Sequence, residues 1–106
     1  MRPSALTIAL AVLLPSAPPA AAAPRTHAVV IDKMKFGPAP GRIRAGDRIV
    51  WINKDMFRHT ATSRAGGFNV DLPAGASAIA VASKAGTFSV VCRYHAGMRM
   101  TLKVER

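Results

Sequence analysis

The chain has 106 residues, with 15 Lys and Arg against five Asp and Glu, and it contains a single cysteine. This length suits one domain, and the net charge of +10 favours anionic partners. The basic residues are scattered and form neither a run nor a helical stripe, which argues against a nucleic-acid-binding protein.

Residues 1–22 have the pattern of a cleavable export signal. Arg2 gives a short positive start, an uncharged apolar run follows from Ala5 to Leu14, and the proline-containing stretch 15–19 ends it. About ten apolar residues are too few to span a bilayer as a helix, so we expect a signal peptide and not a membrane anchor.

Small residues before the cut favour cleavage after Ala22, because cleavage after Ala23 would leave Pro24 in the first position of the product. The predicted mature domain is 23–106, and loss of Arg2 leaves it with a net charge of +9. We expect this domain in the periplasm, without stable membrane insertion and as a monomer.

The mature region is predicted to consist of short strands separated by Gly, Pro and Asp. No stretch keeps an amphipathic helical period for three turns. Seven to eight short strands at close, regular spacing favour an all-β, Greek-key β-sandwich. In chain order the predicted strands cover 27–32, 42–45, 48–53, 59–63, 68–70, 77–82, 87–92 and 99–104.

Cys92 is a lone cysteine in a chain that is predicted to enter an oxidising compartment. It is therefore a buried inert thiol, an intermolecular disulfide partner or a metal ligand. His95 and Met98 follow it at Cys-x2-His-x2-Met spacing, so one tight loop offers a thiolate, an imidazole and a thioether. This donor set is typical of blue-copper electron-transfer sites, whereas structural zinc favours four strong ligands.

A blue-copper site needs a second imidazole from elsewhere in the chain. His59 is the favoured candidate because it begins a strand directly after a loop, and His27 is its rival on the first strand. The axial sulfur also has two candidates. Met98 lies in the loop, while Met100 continues the inward alternation of the last strand, so we favour Met98 as the ligand.

Three segments resemble the cupredoxin family, and its amicyanin and plastocyanin branch most. They are Ala45-Gly-Asp-Arg-Ile-Val-Trp-Ile-Asn53, His59-Thr-Ala-Thr62 and Gly86-Thr-Phe-Ser-Val-Val-Cys92. The resemblance covers nearly the whole mature region. It implies a cupredoxin-like sandwich that binds one type 1 copper through His59, Cys92, His95 and Met98. It also implies a single-electron carrier between larger redox proteins, with electrons leaving through the exposed edge of His95.

The sequence departs from the family pattern beside the expected ligands. Arg58 stands where the family often has proline, Thr60 where it often has asparagine, and Met100 where it commonly has glycine. We expect the Thr60 hydroxyl to form a hydrogen bond to the cysteine loop in place of the asparagine.

The function predicted from these residues is electron transfer and not catalysis, because no paired acid and base residues accompany the metal site. Arg58, Arg93 and Arg99 adjoin the ligands and predict a redox partner with an acidic docking surface. The main alternative is a periplasmic copper-binding carrier without redox shuttling. A metal-free structural sandwich is the third hypothesis, and the setting of the lone thiol argues against it.

Overall fold

The computed structural model describes residues 4, 9, 11–15 and 23–106. Most of the predicted signal peptide lies outside the described residues, and its cleavage remains a prediction. Among the residues described, no helix is long and apolar enough to cross a membrane.

The described part of the chain forms a two-layered β-structure, as the strand pattern predicts. One sheet has four strands in the order β2-β1-β4-β7, and the other has five in the order β3-β9-β8-β5-β6. Pairs β1–β4 and β3–β9 are parallel, and the remaining pairs are antiparallel. The strands are β1 Thr26–Asp32, β2 Lys35–Phe36, β3 Ile43–Arg44, β4 Arg48–Asn53, β5 His59–Ser63, β6 Phe68–Leu72, β7 Ser77–Val81, β8 Gly86–Val91 and β9 Arg99–Glu105.

The core lies between the sheets and follows the alternation of the strands. On β4, Ile49, Trp51 and Asn53 are buried, while the residues between them are more exposed. Phe36 packs edge-on against Trp51 with ring centroids 6.0 Å apart, and Phe68 lies 5.9 Å from it on a tilt. These aromatic side chains form part of the core.

Strand β7 presents its larger side chains to solvent. Ile79 and Val81 share a face, as their alternation predicts, but they are 60% and 50% exposed. The small Ala78 packs inward instead and pairs with Trp51 on β4. The bulk of the indole therefore fills the space that a larger residue on β7 would occupy.

The described residues contain nine strands, where the sequence predicts seven to eight. The additional strand, β2, has two residues and pairs with the end of β1. It is too short to carry a periodic signal, and a turn with Lys33 and Met34 at positive φ connects it to β1.

Candidate metal centre

Three strand ends and one loop meet at the same end of the sandwich. β5 begins with His59, and β8 leads directly into Cys92. Because β5 and β8 are antiparallel, the start of one lies beside the end of the other. The loop from Cys92 to β9 then supplies His95 and Met98, so the fold brings all four predicted site residues to one region.

The donor atoms of three of these residues form a compact cluster. One ligand atom each from His59, Cys92 and His95 lies within 4.8 Å of the other two. The Cys92 Sγ atom is 3.7 Å from Nδ1 of His59, and the two imidazole rings are 4.8 Å apart. His59 and Cys92 are buried, while His95 is only partly buried. A thiolate and two imidazoles at this spacing can bind a single metal ion.

Both histidines use Nε2 in a hydrogen bond, which leaves Nδ1 as the ring nitrogen that can bind a metal. Nε2–H of His59 donates to the carboxylate of Asp55 at 2.7 Å, and Nε2–H of His95 donates to the carbonyl of Arg58 at 3.1 Å. A hydrogen bond of this kind selects the tautomer and fixes the ring orientation of a metal-binding histidine. The two imidazoles are therefore oriented before any metal binds.

Met98 lies directly opposite Cys92 across the loop. Strands β8 and β9 pair Val91 with Arg99, and the next backbone hydrogen bond runs from the N–H of Cys92 to the carbonyl of Met98 at 3.1 Å. Met98 is buried. Gly97, just before it, has a φ of +88°, which lets the loop turn tightly without strain.

Met100 is paired with Val90, one inward-facing position further from the loop. It is partly buried and packs against the hydrophobic core. At roughly 3.3 Å per residue, the two-residue step from Met98 moves its backbone about 7 Å away along β9. The register therefore gives the two methionines different neighbours.

Thr60 joins the first histidine to the cysteine loop, as its position predicts. Its hydroxyl accepts a hydrogen bond from the backbone N–H of Arg93 at 2.9 Å, which confirms the expected contact. Its own N–H donates to Sγ of Cys92 at 3.4 Å. These two hydrogen bonds connect the start of β5 with the cysteine loop.

The loop before His59 is organised by Asn53 and Asp55, whose roles the sequence analysis missed. The buried amide of Asn53 donates to the carbonyls of Phe57 and Leu72, and its oxygen accepts from the N–H of Asp55. Asp55 in turn accepts from the backbone of the β1–β2 turn and from His59. The Met34 N–H first, and then His59, hold the pKa of Asp55 below its usual range.

His27 lies away from this cluster. It is on β1 near the end where β4 begins, and its Nε2–H donates to the carboxylate of the buried Asp47 at 2.8 Å. The preference for His59 over His27 as a site residue thus agrees with the geometry.

An exposed apolar collar of three side chains lies on the loop before His59 and on the loop that carries His95. Met56, Phe57 and Tyr94 are 79%, 48% and 53% exposed, and Phe57 meets the His95 ring edge-on at 6.4 Å. Apolar side chains exposed together around a functional group are typical of a contact surface. This apolar collar was not predicted, because the three residues come from two separate loops.

The three arginines expected near the site differ in their pairing. Arg58 forms an ion pair with Asp71 at 3.3 Å, and both side chains are about half exposed. Arg93 and Arg99 are exposed and form no ion pair within the described chain. Their charges are consequently the ones available to an incoming partner.

The fold and the donor set define a β-sandwich metalloprotein of the blue-copper class. Thiolate and imidazole ligands with a nearby thioether suit copper better than zinc or a hard cation such as magnesium.

Comparison with known proteins agrees with this class. A family model described as a cupredoxin-like domain matches residues 5–104, so the chain belongs to the cupredoxin family. No curated protein matches the chain.

Solved structures with the same fold include those of amicyanin mutants. The reduced state of one mutant is 24% identical and superposes with a TM-score of 0.63, covering 76% of this chain and 82% of that one. The Cu(I) form of another is 25% identical with a TM-score of 0.63, covering 79% and 86%. Family, fold and donor set together define a site for one type 1 copper.

Proposed function

We propose that this protein is an exported blue-copper electron carrier whose metal is bound by His59, Cys92, His95 and Met98. The observation that carries the proposal is the compact cluster of one thiolate and two imidazoles on strand ends and a strand-bounded loop. Copper in such a site supplies reversible one-electron chemistry between Cu(II) and Cu(I). The similar amicyanin mutants, four of which are described as Cu(I) forms, support this choice of metal.

The protein's contribution is to keep the donors in one arrangement in both oxidation states. His59 is fixed by Asp55, His95 by the Arg58 carbonyl, and Cys92 by backbone hydrogen bonds to Thr60 and Met98. Donors that are held by surrounding hydrogen bonds reorganise little when the charge at the site changes. Little reorganisation favours fast electron transfer.

Met98 is the better axial ligand on the grounds of register. It lies opposite Cys92 and is buried, whereas Met100 lies opposite Val90 and packs against the core. A side chain opposite the thiolate can approach the same ion from the loop side. We therefore assign the weak axial position to Met98.

Electrons should enter or leave at the partly buried edge of His95. This ring is the most exposed of the three clustered donor groups, and Phe57 of the apolar collar contacts it edge-on. An apolar contact beside the ring excludes water when a partner docks, while the exposed Arg93 and Arg99, which follow Cys92 and Met98 in the chain, favour an acidic partner. We infer a transient complex with a larger redox protein in the periplasm after removal of residues 1–22.

The alternative function, copper delivery without redox shuttling, predicts that copper leaves readily in at least one oxidation state. Burial of His59, Cys92 and Met98 favours retention instead.

Redox cycling in the presence of a Cu(I) chelator tests the choice between these functions. The copper-loaded protein should pass through repeated reduction by ascorbate and reoxidation by ferricyanide while it keeps one copper per chain. Loss of copper to the chelator at the first reduction, with the fold retained by circular dichroism, would support the delivery protein instead.

A further inference from the structure

A second concave site lies at the end of the sandwich opposite the metal centre. A cavity of about 340 Å³ opens where β1 and β4 begin and β9 ends. β9 separates it from Met98 by about 25 Å, at roughly 3.3 Å per residue. Four arginines line this cavity together with Ala23, Ala45 and Asp47, and we call it the arginine pocket: Arg25, Arg42, Arg44 and Arg106.

The four guanidinium groups of the arginine pocket form no ion pair within the described part of the chain. All five acidic residues lie in the described part of the chain, and none of them forms an ion pair with these arginines there. Like charges gathered in a concave site repel one another and raise the local positive potential. A bound anion would relieve this repulsion.

Asp47 lines the pocket but its carboxylate is fully engaged. It accepts hydrogen bonds from the backbone N–H groups of Arg25 and Arg44, at 3.0 Å each, and from Nε2–H of His27 at 2.8 Å. These contacts fix Asp47 against the backbone of Arg25, the backbone of Arg44 and the side chain of His27. Asp47 therefore positions two of the arginines and leaves their guanidinium groups free for a ligand.

Arg42 has a backbone conformation that costs energy for any residue with a Cβ atom. Its φ is +46°, in the left-handed region that favours glycine. Such a residue persists where the surrounding structure or a function requires it. Arg42 follows Gly41 and precedes the short strand β3, so the turn places it beside Arg44 in the pocket lining.

We propose that the arginine pocket binds a phosphate group. The planar fork of arginine matches phosphate oxygens in a bidentate manner, and the basic residues that line the pocket are all arginines. A cavity of this size is at the lower end of the range for small-molecule sites, which suits a phosphate with a small attached group. The phosphate comes either from a soluble phosphorylated compound or from an anionic lipid headgroup.

Calorimetric titration of the copper-loaded protein with inorganic phosphate, at constant ionic strength set by chloride, tests the site. We expect one phosphate per chain. Arg42→Gln with Arg44→Gln should lower the affinity by at least about tenfold, because two charge-assisted contacts are lost. Arg64→Gln with Lys35→Gln removes the same charge from exposed positions outside the pocket lining, since Lys35 pairs with the far end of β1, and should leave the affinity nearly unchanged. The metal centre provides a folding control, since its spectrum should be the same in all variants.

Arg42→Gly separates binding from a structural role. Glycine adopts the observed φ without strain, so the melting temperature without phosphate should not fall. The phosphate affinity should fall nevertheless. If Arg42→Gly binds phosphate as tightly as the wild type does, Arg42 is not part of the phosphate site.

Vesicles of phosphatidylcholine mixed with phosphatidylglycerol distinguish the two sources of the phosphate group. If the ligand is a lipid headgroup, the wild-type protein should sediment with these vesicles. Free phosphate should then reduce this sedimentation, and the Arg42 and Arg44 double variant should not sediment with the vesicles. Binding of free phosphate without vesicle binding identifies a soluble ligand. The absence of saturable phosphate binding would overturn the proposal. An equal loss of phosphate affinity in the pocket double variant and the control double variant would also overturn it.

Discussion

At the scale of single residues, the two methionines near the metal centre allow the ligand assignment to be tested directly. Met98→Gln should keep copper but change the visible spectrum and lower the reduction potential, since the axial ligand tunes it. Met100→Leu should leave the spectrum nearly unchanged and cost at most about 1.5 kcal/mol of stability, as a volume-conserving core substitution does. Voltammetry and visible spectroscopy of both variants make the measurement, and the reverse pattern would move the axial ligand to Met100.

Thr60 shows how a departure from the family pattern can preserve a contact. Its hydroxyl holds the backbone of Arg93, and its N–H donates to Sγ of Cys92, so the histidine strand and the cysteine loop remain connected. The contact of the Thr60 hydroxyl with the cysteine loop could be predicted, because Thr60 directly follows His59 and a hydroxyl can accept a hydrogen bond. The distance and the partner atom required the structure.

At the scale of strands and loops, Asp47 connects the segments that lead into β1 and β4 with strand β3. The backbone N–H of Arg25, then that of Arg44, and then His27 hold the pKa of its carboxyl group well below the usual range. These partners come from the start of β1 and from β3, while Asp47 itself directly precedes β4. One carboxylate therefore fixes how three segments meet.

This arrangement predicts acid sensitivity. A carboxyl group with a lowered pKa in the folded state contributes stability above its unfolded pKa of about 3.9, and this contribution is lost as the pH falls further. Urea unfolding of the copper-free protein should show stability decreasing from about pH 5 downward. Asp47→Asn should be less stable at neutral pH, with a difference from the wild type that narrows in acid. Parallel pH profiles for the two proteins would contradict this role of Asp47.

Most strands and the ligand loop could be predicted because their signals are local. Alternating apolar residues mark β4 and β9, and Cys92, His95 and Met98 lie within seven consecutive residues. Contacts between distant segments leave no such pattern. The hydrogen bond from His59 to Asp55 depends on how Asn53 folds the loop, and the two-residue strand β2 is too short for periodicity to mark it.

The exposed face of β7 is a further result that alternation alone does not give. The pattern places Ile79 and Val81 on the same face but does not say which face meets the core. The outcome depends on the opposite strand, where Trp51 already fills the interior beside Ala78.

At the scale of the whole molecule, positive charge is present at both ends of the sandwich. We assign it to partner docking at the metal end and to phosphate binding at the other end. At the metal end, Arg93 directly follows Cys92 and Arg99 directly follows Met98, and both are exposed and form no ion pair within the described chain. Arg58 is less informative as a target, because its replacement would also break the ion pair with Asp71.

Electron transfer with an acidic partner should therefore slow as salt rises. The Debye length falls from about 10 Å at 0.1 M to roughly 3 Å at 1 M, which screens the attraction. Arg93→Glu and Arg99→Glu should reduce the association rate in stopped-flow measurements without loss of copper. Lys84→Glu makes the same charge change in the exposed turn before β8, at the other end of the strand from Cys92, and should have a smaller effect. Rates that do not change with ionic strength and are equal in all three variants would contradict an electrostatic docking role.

The visible absorption spectrum after addition of Cu(II) tests the central claim most directly. A thiolate, two imidazoles and a weak axial sulfur should give the intense blue colour of thiolate-to-Cu(II) charge transfer, at one copper per chain and bleached reversibly by ascorbate. Cys92→Ser should lose the colour while it keeps the β-sheet signal in circular dichroism. A weak spectrum typical of tetragonal Cu(II) in the wild-type protein, or an unchanged blue colour in Cys92→Ser, would contradict the account of a type 1 copper centre built around Cys92.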